Sequence, residues 1–440
     1  MKKNLKFSEI LSIGFLLFAI FFGAGNVIFP PLLGSSAGTN VWTSMIGFII
    51  ADVGLSLICI VAVALSGEDF ENMSRKISPK FATFFSVIVY LTLGPLCVIP
   101  RIGATSSELS VIPLVSGSKY ATIAGVIFIA LFFIITYALA ANPSKLLDLI
   151  GKIITPALLI IIAIIVVKAI ISPIGTFSAP TGDYATMPFF KGFIDGYQTL
   201  DCVGALVISL VVINSVKQLG VKEPKNIAKN TILSGVVASI FLILVYFSLG
   251  YIGASSAPLG TFSDGGKLLV AAMQNLFGKP GLIMLGLVIT LACLTTSIGL
   301  ASSFAEYFSK FTKNPEGSYK KILMAVCIFS FVLANLGLST ILSVSLPVLL
   351  VLYPVTIVLI FATLLDKVIP LKKSVFVGSM LCAFIMGLLQ VCESYGISMG
   401  ILLDLVKKIP LYSLGIGWVI PSILGGILGS FIPCKNTSRG

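Results

Sequence analysis

The sequence that decides the fold is Phe21-Phe22-Gly23-Ala24-Gly25-Asn26, which lies near the middle of the first long apolar run of the chain. Two glycines within three residues each cost about 1 kcal/mol relative to alanine inside a helix. They allow the backbone to leave helical geometry, and the N–H and C=O groups that are freed then need new partners in lipid. We therefore predict a membrane-spanning helix that is broken at this point.

A second polar interruption, Thr199-Leu200-Asp201-Cys202-Val203-Gly204, lies in the sixth apolar run. Each break opens a block of five runs, residues 9–172 and residues 197–365. Five is an odd number, so the two blocks insert with opposite orientation. Interrupted helices at matching positions of inverted halves indicate the binding site of a transporter. Glycine that merely permits close helix packing is the alternative, and it explains one break better than two matching ones.

Composition places the chain in a membrane. Its 440 residues are 57% hydrophobic and 10% charged, whereas a soluble domain carries roughly 25% charged residues. The apolar runs are continuous, which favours helices over the alternating strands of a membrane barrel. We predict an all-α polytopic membrane protein in which a 5+5 inverted repeat is followed by two additional helices in residues 374–433. The twelve predicted spans are 9–36, 42–65, 81–112, 120–141, 148–172, 197–216, 229–253, 280–308, 320–338, 341–365, 374–394 and 411–433.

The basic residues predict the orientation. If the first residue is cytoplasmic, 21 of the 29 Lys and Arg residues fall in cytoplasmic segments and seven fall outside. Cytoplasmic loops carry an excess of Lys and Arg, so we expect both termini in the cytoplasm and an even number of spans. The loop at 254–279 contains an amphipathic stretch, Leu268–Phe277, which we expect to lie along a membrane surface.

Several function classes are disfavoured by residues that are missing or scattered. The formal net charge is +12, but the basic residues sit between apolar runs, so nucleic acid is not expected as a partner. Without histidine, a zinc or copper site is not expected, and the eight cysteines resemble small buried residues. The 17 acidic residues are too scattered for a membrane-embedded enzyme. A phosphate-binding loop and the repeated filter loops of a channel are also missing.

Polar residues within the apolar runs suggest ligands. The broken backbone at Gly23 to Gly25 offers N–H groups to a carboxylate and carbonyls to an ammonium group, which suits a zwitterionic amino acid. In the eighth run, Thr295 and Thr296 share one helical face with Ala292, and hard cations prefer such oxygen ligands. The alternative for a Thr-Thr pair is hydrogen bonding within its own helix. Asn26 either faces a cation or hydrogen-bonds a neighbouring helix.

Charges well inside the second, third and sixth runs, namely Asp52, Arg101, Glu108 and Asp201, are costly in lipid and are usually functional. Arg101 and Glu108 are seven residues apart, which is two turns on one face. They are expected to pair with each other, to gate the outer vestibule, or to reach the outer interface. Asp201 lies at the second break, where it either orients a substrate ammonium group or caps a half-helix.

The chain resembles the branched-chain amino acid:cation symporter family, the BrnQ-type bacterial carriers, over nearly its full length. The residues that carry the resemblance are Phe22 to Pro31, Gly94-Pro95, Pro100-Arg101, Gly196-Tyr197, Asp201, Thr290 to Thr296, Glu306, Asn335 to Ser339 and Tyr353-Pro354. More distantly, the chain is similar to transporters of the bacterial leucine transporter fold. The resemblance implies sodium-coupled import of leucine, isoleucine and valine by alternating access, and it implies no enzyme activity and no organic cofactor.

The resemblance also implies site residues. The substrate residues would be Gly23, Ala24, Gly25, Thr199, Leu200, Asp201, Cys202 and Gly204. One sodium ion would be bound by the backbone carbonyls of Ala19 and Phe22 together with Ala292, Thr295 and Thr296. A possible second sodium ion would lie at Asn26 and Thr199. Val203-Gly204 departs from the glycine spacing that is usual after the second break. Proton coupling or a different amino-acid specificity within the same fold is the alternative.

Overall fold

The computed structural model describes residues 4–66, 70–115, 117–142, 145–262, 264–397, 400 and 405–432, with the backbone alone at Ser339, Leu342 and Leu346. This part of the chain is mostly helical and contains no β-strand. Its α-helices are α1 (Phe7–Phe21), α2 (Ala24–Ala37), α3 (Val41–Ile49), α4 (Leu55–Ser66), α5 (Phe70–Arg75), α6 (Pro79–Leu91), α7 (Val98–Ser110), α8 (Ala121–Ala140), α9 (Thr155–Ile171), α10 (Asp183–Thr186), α11 (Pro188–Gly196), α12 (Asp201–Gln218), α13 (Pro224–Ser255), α14 (Gly265–Phe277), α15 (Lys279–Ser309), α16 (Pro315–Ala334), α17 (Leu338–Val368), α18 (Lys373–Ser394) and α19 (Val419–Phe431).

Ten helical stretches within the described residues are long and apolar enough to cross a membrane, judged by length and composition. Two shorter apolar helices, α1 and α19, accompany them. Many of their side chains are large, apolar and exposed, such as Ile134, Ile171 and Phe431. Lipid is the solvent that suits such a surface. The chain is therefore a multi-pass membrane protein.

Several of the long helices contain wider turns of π geometry, each of which accommodates one extra residue. They lie at Ile50–Gly54 between α3 and α4, at Thr92–Leu96 between α6 and α7, and at Leu147–Ile154 before α9. In the second of them Gly94 has non-helical angles, φ −85° and ψ −123°, beside Pro95. Such bulges are frequent at functional sites. They change the direction in which the residues that follow them face.

Close backbone contact holds the broken first span against α13. A Cβ atom placed at Gly34 would overlap the carbonyl oxygen of Gly250, and one at Gly253 would overlap the carbonyl oxygen of Pro31. Only glycine therefore fits at these crossings, in the manner of small-residue packing in membranes. Helix α1 packs on α13 as well, and it also packs on α15. These contacts bring both halves of the broken span against the same long helix.

Most predicted spans agree with observed helices, because their apolar runs are long and uninterrupted. The prediction 120–141 corresponds to α8, and 280–308 corresponds to α15. The amphipathic stretch is helix α14, which begins after Asp264, whose side chain accepts a hydrogen bond from the Lys267 N–H. The last predicted run, 411–433, is too long: α19 begins at Val419 after a turn in which Leu411 and Gly415 have positive φ.

The cysteines in the described residues are free thiols. Five of them are buried, namely Cys59, Cys97, Cys202, Cys293 and Cys327, whereas Cys382 and Cys392 are half-buried. Cys434 lies outside the described residues. Within the described part of the chain, no group of three or more Cys, Asp or Glu side chains is placed to hold a metal ion.

Candidate substrate and cation sites

The first break separates α1 from α2. Helix α1 ends at Phe21, and Gly23 is extended, with φ −103° and ψ −163°, before α2 begins at Ala24. The Gly23 N–H donates a 3.2 Å hydrogen bond to Oδ1 of Asn26, which fastens the turn. The first N–H groups of any helix lack partners within that helix. The start of α2 therefore offers donors and the positive end of a helix dipole.

The second break lies between α11 and α12. A turn of 3₁₀ helix, Tyr197–Thr199, leads to Leu200, which adopts left-handed angles with φ 75° and ψ 8°. This conformation costs a residue other than glycine about 1–2 kcal/mol, and Leu200 is buried. Strained residues of this kind are concentrated at functional sites. The first turn of α12 begins directly after it, with Asp201 as its first residue.

The two breaks meet at one cavity of about 30 Å³. This volume is far below the roughly 300–1,000 Å³ of pockets that hold small-molecule ligands, so an amino acid requires the lining helices to separate before it can enter. The apolar part of the lining, the apolar wall, consists of Ile20, Phe21, Leu93, Val98, Ile102, Ile208 and Leu300. The remaining lining residues are Gly23, Ala24, Gly25, Asn26, Arg101, Thr199, Leu200, Asp201, Gly204 and Thr296.

Seven of the eight predicted substrate residues are thus brought together around this cavity, from helices that are far apart in sequence. The eighth, Cys202, is fully buried and does not line it. The reason is geometric, since α12 turns by about 100° per residue and directs the side chain of its second residue away from the cavity. Arg101, Asn26 and Thr296 line it instead, although they were predicted for other sites.

Four of the five residues predicted for the first sodium site form one cluster. The Thr295 hydroxyl donates to the Ala19 carbonyl at 2.7 Å, and it also lies 2.9 Å from the Ala292 carbonyl. The Thr296 hydroxyl lies 3.1 Å from the Ala292 carbonyl and 3.4 Å from that of Ala19. The cluster thus joins the end of α1 to the middle of α15. Its neutral oxygens are ligands that a hard cation accepts.

Phe22, the fifth predicted ligand, is next in sequence to Gly23, which contacts this cluster. It is the C-cap of α1 with φ −72° and ψ 77°, so its carbonyl does not follow the helix axis. The next residue, Gly23, is so close that an added Cβ would lie 3.0 Å from the Thr296 hydroxyl oxygen. The intrahelical hydrogen bonds that were the alternative for Thr295 and Thr296 are present as well, in addition to the contacts with α1.

A second polar cluster surrounds Asn26 and Thr199. The Asn26 amide donates to Asp201 at 2.6 Å and to the Tyr246 hydroxyl at 2.5 Å. The Thr199 hydroxyl donates to Oδ1 of Asp52 at 2.9 Å. Asp52 lies in the first π bulge and is fully buried, and its Oδ2 is a buried atom without a hydrogen-bond partner. Two buried acidic groups, one from each half of the chain, therefore lie at the position predicted for a second sodium ion.

Arg101 and Glu108 are separated by the structure. Arg101 is 6% exposed and lines the cavity, whereas Glu108 is exposed near the end of α7. The two side chains do not form an ion pair, so direct pairing, one of the interpretations of their spacing, is wrong. Arg101 also does not reach an outer interface, because the bulge at Thr92–Leu96 places it beside the broken helices. The gating role predicted for the two residues stays a prediction.

Known proteins are similar to this chain in sequence over nearly its full length. The branched-chain amino acid transport protein family matches residues 6–436. The chain belongs to this family. It is 44% identical to the branched-chain amino acid permease BraB of Bacillus subtilis (strain 168) over 98% of its length and 96% of the relative's. It is 41% identical to the permease BrnQ of the same strain, over 99% of both chains. These relatives are named as permeases, and the branched-chain amino acid transport family is one of transporters rather than enzymes.

Solved structures are similar to this member of the branched-chain amino acid transport family in fold. A nucleobase-cation-symport-1 family transporter in a closed conformation superimposes with a TM-score of 0.61 at 14% identity, covering 96% of this chain and 91% of that one. A Na⁺-coupled sialic acid symporter superimposes with a TM-score of 0.58 at 14% identity, covering 96% and 90%. At this level of identity, the similarity shows that the fold is the one these transporters share.

Two residues of the polar cluster in this branched-chain amino acid transport family member were not assigned to a site from the sequence. Asp52 carried a usable signal, since an acid within an apolar span is costly and usually functional, but nothing linked it to Thr199. Tyr246 carried no such signal, because a tyrosine in an apolar run is unremarkable before its neighbours are known. The pairing of both with the broken helices is visible only in three dimensions.

Proposed function

We propose that this protein is a sodium-coupled symporter that imports leucine, isoleucine and valine across the cytoplasmic membrane of a bacterium. Its family and its relatives named as branched-chain amino acid permeases support the substrate class. The observation that carries the coupling is the oxygen cluster of Ala19, Thr295 and Thr296, because it joins the broken helix to α15 with ligands suited to sodium. The transported sodium is the coupling ion, and no organic cofactor is involved.

The cavity suits a zwitterion with a branched apolar side chain. The N–H groups at the start of α2 bind the substrate carboxylate, and the carbonyls that end α1 receive the ammonium group. Ile102, Ile208 and Leu300 belong to the apolar wall that contacts the side chain. Burying such a side chain contributes roughly 1.5–3 kcal/mol, whereas a polar side chain would lose its hydrogen bonds with water there. The wall therefore selects for leucine, isoleucine and valine.

The second cluster is a site for a second sodium ion. Thr199 provides a neutral oxygen, and the adjacent carboxylates of Asp52 and Asp201 provide negative charge. Asn26, whose amide N–H donates to Asp201 in this structure, must turn its amide to add a second neutral oxygen. Buried acids without a partner are costly, and a cation bound between them offsets that cost. Coupling to protons in place of sodium is the alternative, and it requires no change in the fold or in the cavity.

The topology that we propose has twelve spans. The stretch Ala24–Ser66 contains 43 helical residues, about 65 Å at 1.5 Å per residue, which is twice the roughly 30 Å hydrocarbon core. It is therefore divided: α2 completes the span that α1 begins, and α3 with α4 forms the next. Adding α19 gives twelve, with inverted blocks at residues 9–172 and 197–365, two further helices at 374–433, and both termini in the cytoplasm.

Transport then proceeds by alternating access. The bundle of the first, second, sixth and seventh spans, which are α1 with α2, α3 with α4, α12 and α13, rocks against the remaining helices around the central site. The closed cavity opens first to one side and then to the other. Sodium bound between α1 and α15 stabilises the outward-open form and so raises the affinity for the amino acid.

Uptake by the purified protein in proteoliposomes tests this function. We expect labelled leucine to accumulate when sodium is higher outside, and unlabelled isoleucine and valine to compete for it. A proton gradient without sodium should drive no accumulation. Accumulation that follows the proton gradient and ignores sodium would replace sodium with protons as the coupling ion. Failure of all three branched-chain amino acids to compete would reject the substrate class.

A further inference from the structure

Arg101 is a buried charge whose local environment does not satisfy it. The side chain is 6% exposed, and its Nε is a buried atom without a hydrogen-bond partner. No carboxylate oxygen of the described residues lies within 4.0 Å of its nitrogens. Removing a charge from water costs several kcal/mol unless other groups compensate for it. The guanidinium therefore has N–H donors that an anionic ligand can satisfy.

The cavity lies where that anion would bind. Arg101 lines it together with the first turns of α2 and α12, so two positive helix ends and a guanidinium converge on the same space. Asp201 lines the cavity as well and attracts Arg101 electrostatically, but the two side chains do not meet. Cys97 and Cys293, the other ionisable groups that act on Arg101, are thiols with no charge to offer. Arg101 and Asp201, which carry opposite charges, thus line the same cavity without forming an ion pair.

We propose that Arg101 binds the carboxylate of the transported amino acid, while Asp201 lies on the side of its ammonium group. The guanidinium presents a planar fork of N–H donors that matches a carboxylate, and the N–H groups of α2 complete the anion site. A zwitterion fills the gap and compensates both buried charges at once. This inference rests on the proposed function, since it assumes that an amino acid occupies the cavity.

The consequence is a requirement for a free carboxylate. Leucinol has the side chain and the amino group of leucine but lacks this group, so it leaves Arg101 unpaired. A site with an unpaired buried polar group rejects the analogue that lacks the partner far more strongly than it rejects a small change in apolar volume. Arg101 is therefore a determinant of specificity for amino acids over amines of the same shape.

The test compares Arg101→Gln and Arg101→Lys with the unchanged protein. The leucine and leucinol concentrations that half-inhibit uptake of labelled leucine are measured, and their binding is followed by thermal stabilisation of the purified protein. We expect Arg101→Gln to weaken the binding of leucine about 10-fold to 100-fold and the binding of leucinol less than about 3-fold. The variant should therefore lose the selectivity for leucine over leucinol. Arg101→Lys should retain part of it, because lysine keeps the charge without the fork.

Arg75→Gln is the matched control, because Arg75 is exposed on α5 and only forms a surface ion pair with Glu71 at 3.6 Å. Arg75→Gln should leave the affinities for leucine and leucinol unchanged. Arg101 does not bind the carboxylate if Arg101→Gln weakens the binding of leucine and of leucinol equally. The inference is also wrong if the variant slows uptake but keeps its selectivity for leucine over leucinol.

Thermal stabilisation by a panel of amino acids separates this inference from the proposed function. If the unchanged protein is stabilised by other amino acids but not by leucine, isoleucine or valine, the proposed substrates are wrong. The inference then holds if Arg101→Gln removes the preference of those ligands over their amino alcohols, and fails if the preference persists. If no ligand with a carboxylate stabilises the protein, the inference is rejected outright.

Discussion

The Thr295 hydroxyl on α15 donates a 2.7 Å hydrogen bond to the Ala19 carbonyl on α1, across 276 positions of sequence. Ala19 lies in the last turn of the first half-helix, immediately before the break. The contact therefore connects the backbone that changes direction at the substrate cavity to a helix of the other half of the chain. Any cation bound among these oxygens is sensitive to the position of the first half-helix relative to α15.

Thr296→Ala should raise the sodium concentration that gives half-maximal leucine uptake. The change removes one oxygen of the cluster, and loss of a hydrogen bond to a charged group costs about 1.5–3 kcal/mol. If an ion–oxygen contact is comparable, sodium affinity falls roughly 10-fold to 150-fold. Uptake at low sodium should be partly restored at high sodium. Thr295→Ala should behave alike, and Thr296→Ser should be mild because it keeps the oxygen. An equal loss at every sodium concentration would show that Thr296 is structural.

Gly25→Leu should abolish uptake while the protein still inserts into the membrane. A Cβ at Gly25 would lie 3.1 Å from Phe29 and 3.5 Å from the Thr199 Cα, so a longer side chain would fill the space where the two breaks meet. The control is Gly54→Leu, at a glycine whose nearest neighbouring atom would lie 3.7 Å from the new Cβ. Uptake of labelled leucine is measured at equal protein levels. Normal uptake by Gly25→Leu would show that this glycine serves helix packing alone.

Gly253→Ala should destabilise the contact between α2 and α13. The added methyl group would overlap the carbonyl of Pro31, and overpacking of this kind costs typically about 1–3 kcal/mol. We expect a lower unfolding temperature in detergent and less monodisperse protein. Gly54→Ala, where the new Cβ would make an ordinary contact of 3.7 Å with the Ile49 carbonyl oxygen, should not lower the unfolding temperature. Equal unfolding temperatures for Gly253→Ala and the unchanged protein would mean that the two helices separate easily at this crossing.

Single cysteines should report the proposed orientation. A cysteine at Asn226 or Glu316 should react with an impermeant reagent only from the cytoplasmic side, and one at Thr261 only from outside. Asn226 lies in the first turn of α13 and Thr261 follows its other end, which is about 48 Å away for a helix of 32 residues. The half-buried Cys382 and Cys392 should first be replaced to lower the background. Labelling of Thr261 from the cytoplasm would contradict the twelve-span topology.

The breaks were predictable because their signals are local. Gly23 and Gly25 in an apolar run have no other common explanation than a break or a close contact, and α1 and α2 do separate there. Span boundaries were predictable for the same reason, as α8 and α15 show. At the last span the apolar run continued through residues 411–418, and the positive φ of Leu411 and Gly415 that interrupts it has no strong sequence signature.

The partners within the site were harder to predict, because they depend on the direction in which side chains face. Arg101 was placed with Glu108 by helical spacing alone. The bulge at Thr92–Leu96 places it at the cavity instead, and that bulge depends on packing: Gly94 is held so closely against the Phe304 ring that a Cβ would not fit. Likewise, no periodicity links Tyr246 to Asn26. The prediction that Ala19 and Thr295 share a site came from the resemblance to a family, because sequence spacing alone does not link them.

The bulge at Ile50–Gly54 makes the number of residues in this span as important as their identity. A π turn contains one residue more than the α turn that it replaces. Deleting a single residue there would restore a regular helix with α3 and α4 close to their present register, because the bulge takes up the extra residue, but the residues inside the bulge would face in new directions. Asp52 would then be turned from Thr199, and the Ala51 carbonyl, which accepts the 3.3 Å hydrogen bond of the Tyr353 hydroxyl, would return to its own helix. Tolerance of this span to substitutions therefore does not imply tolerance to deletions, and its length is a heritable part of the site.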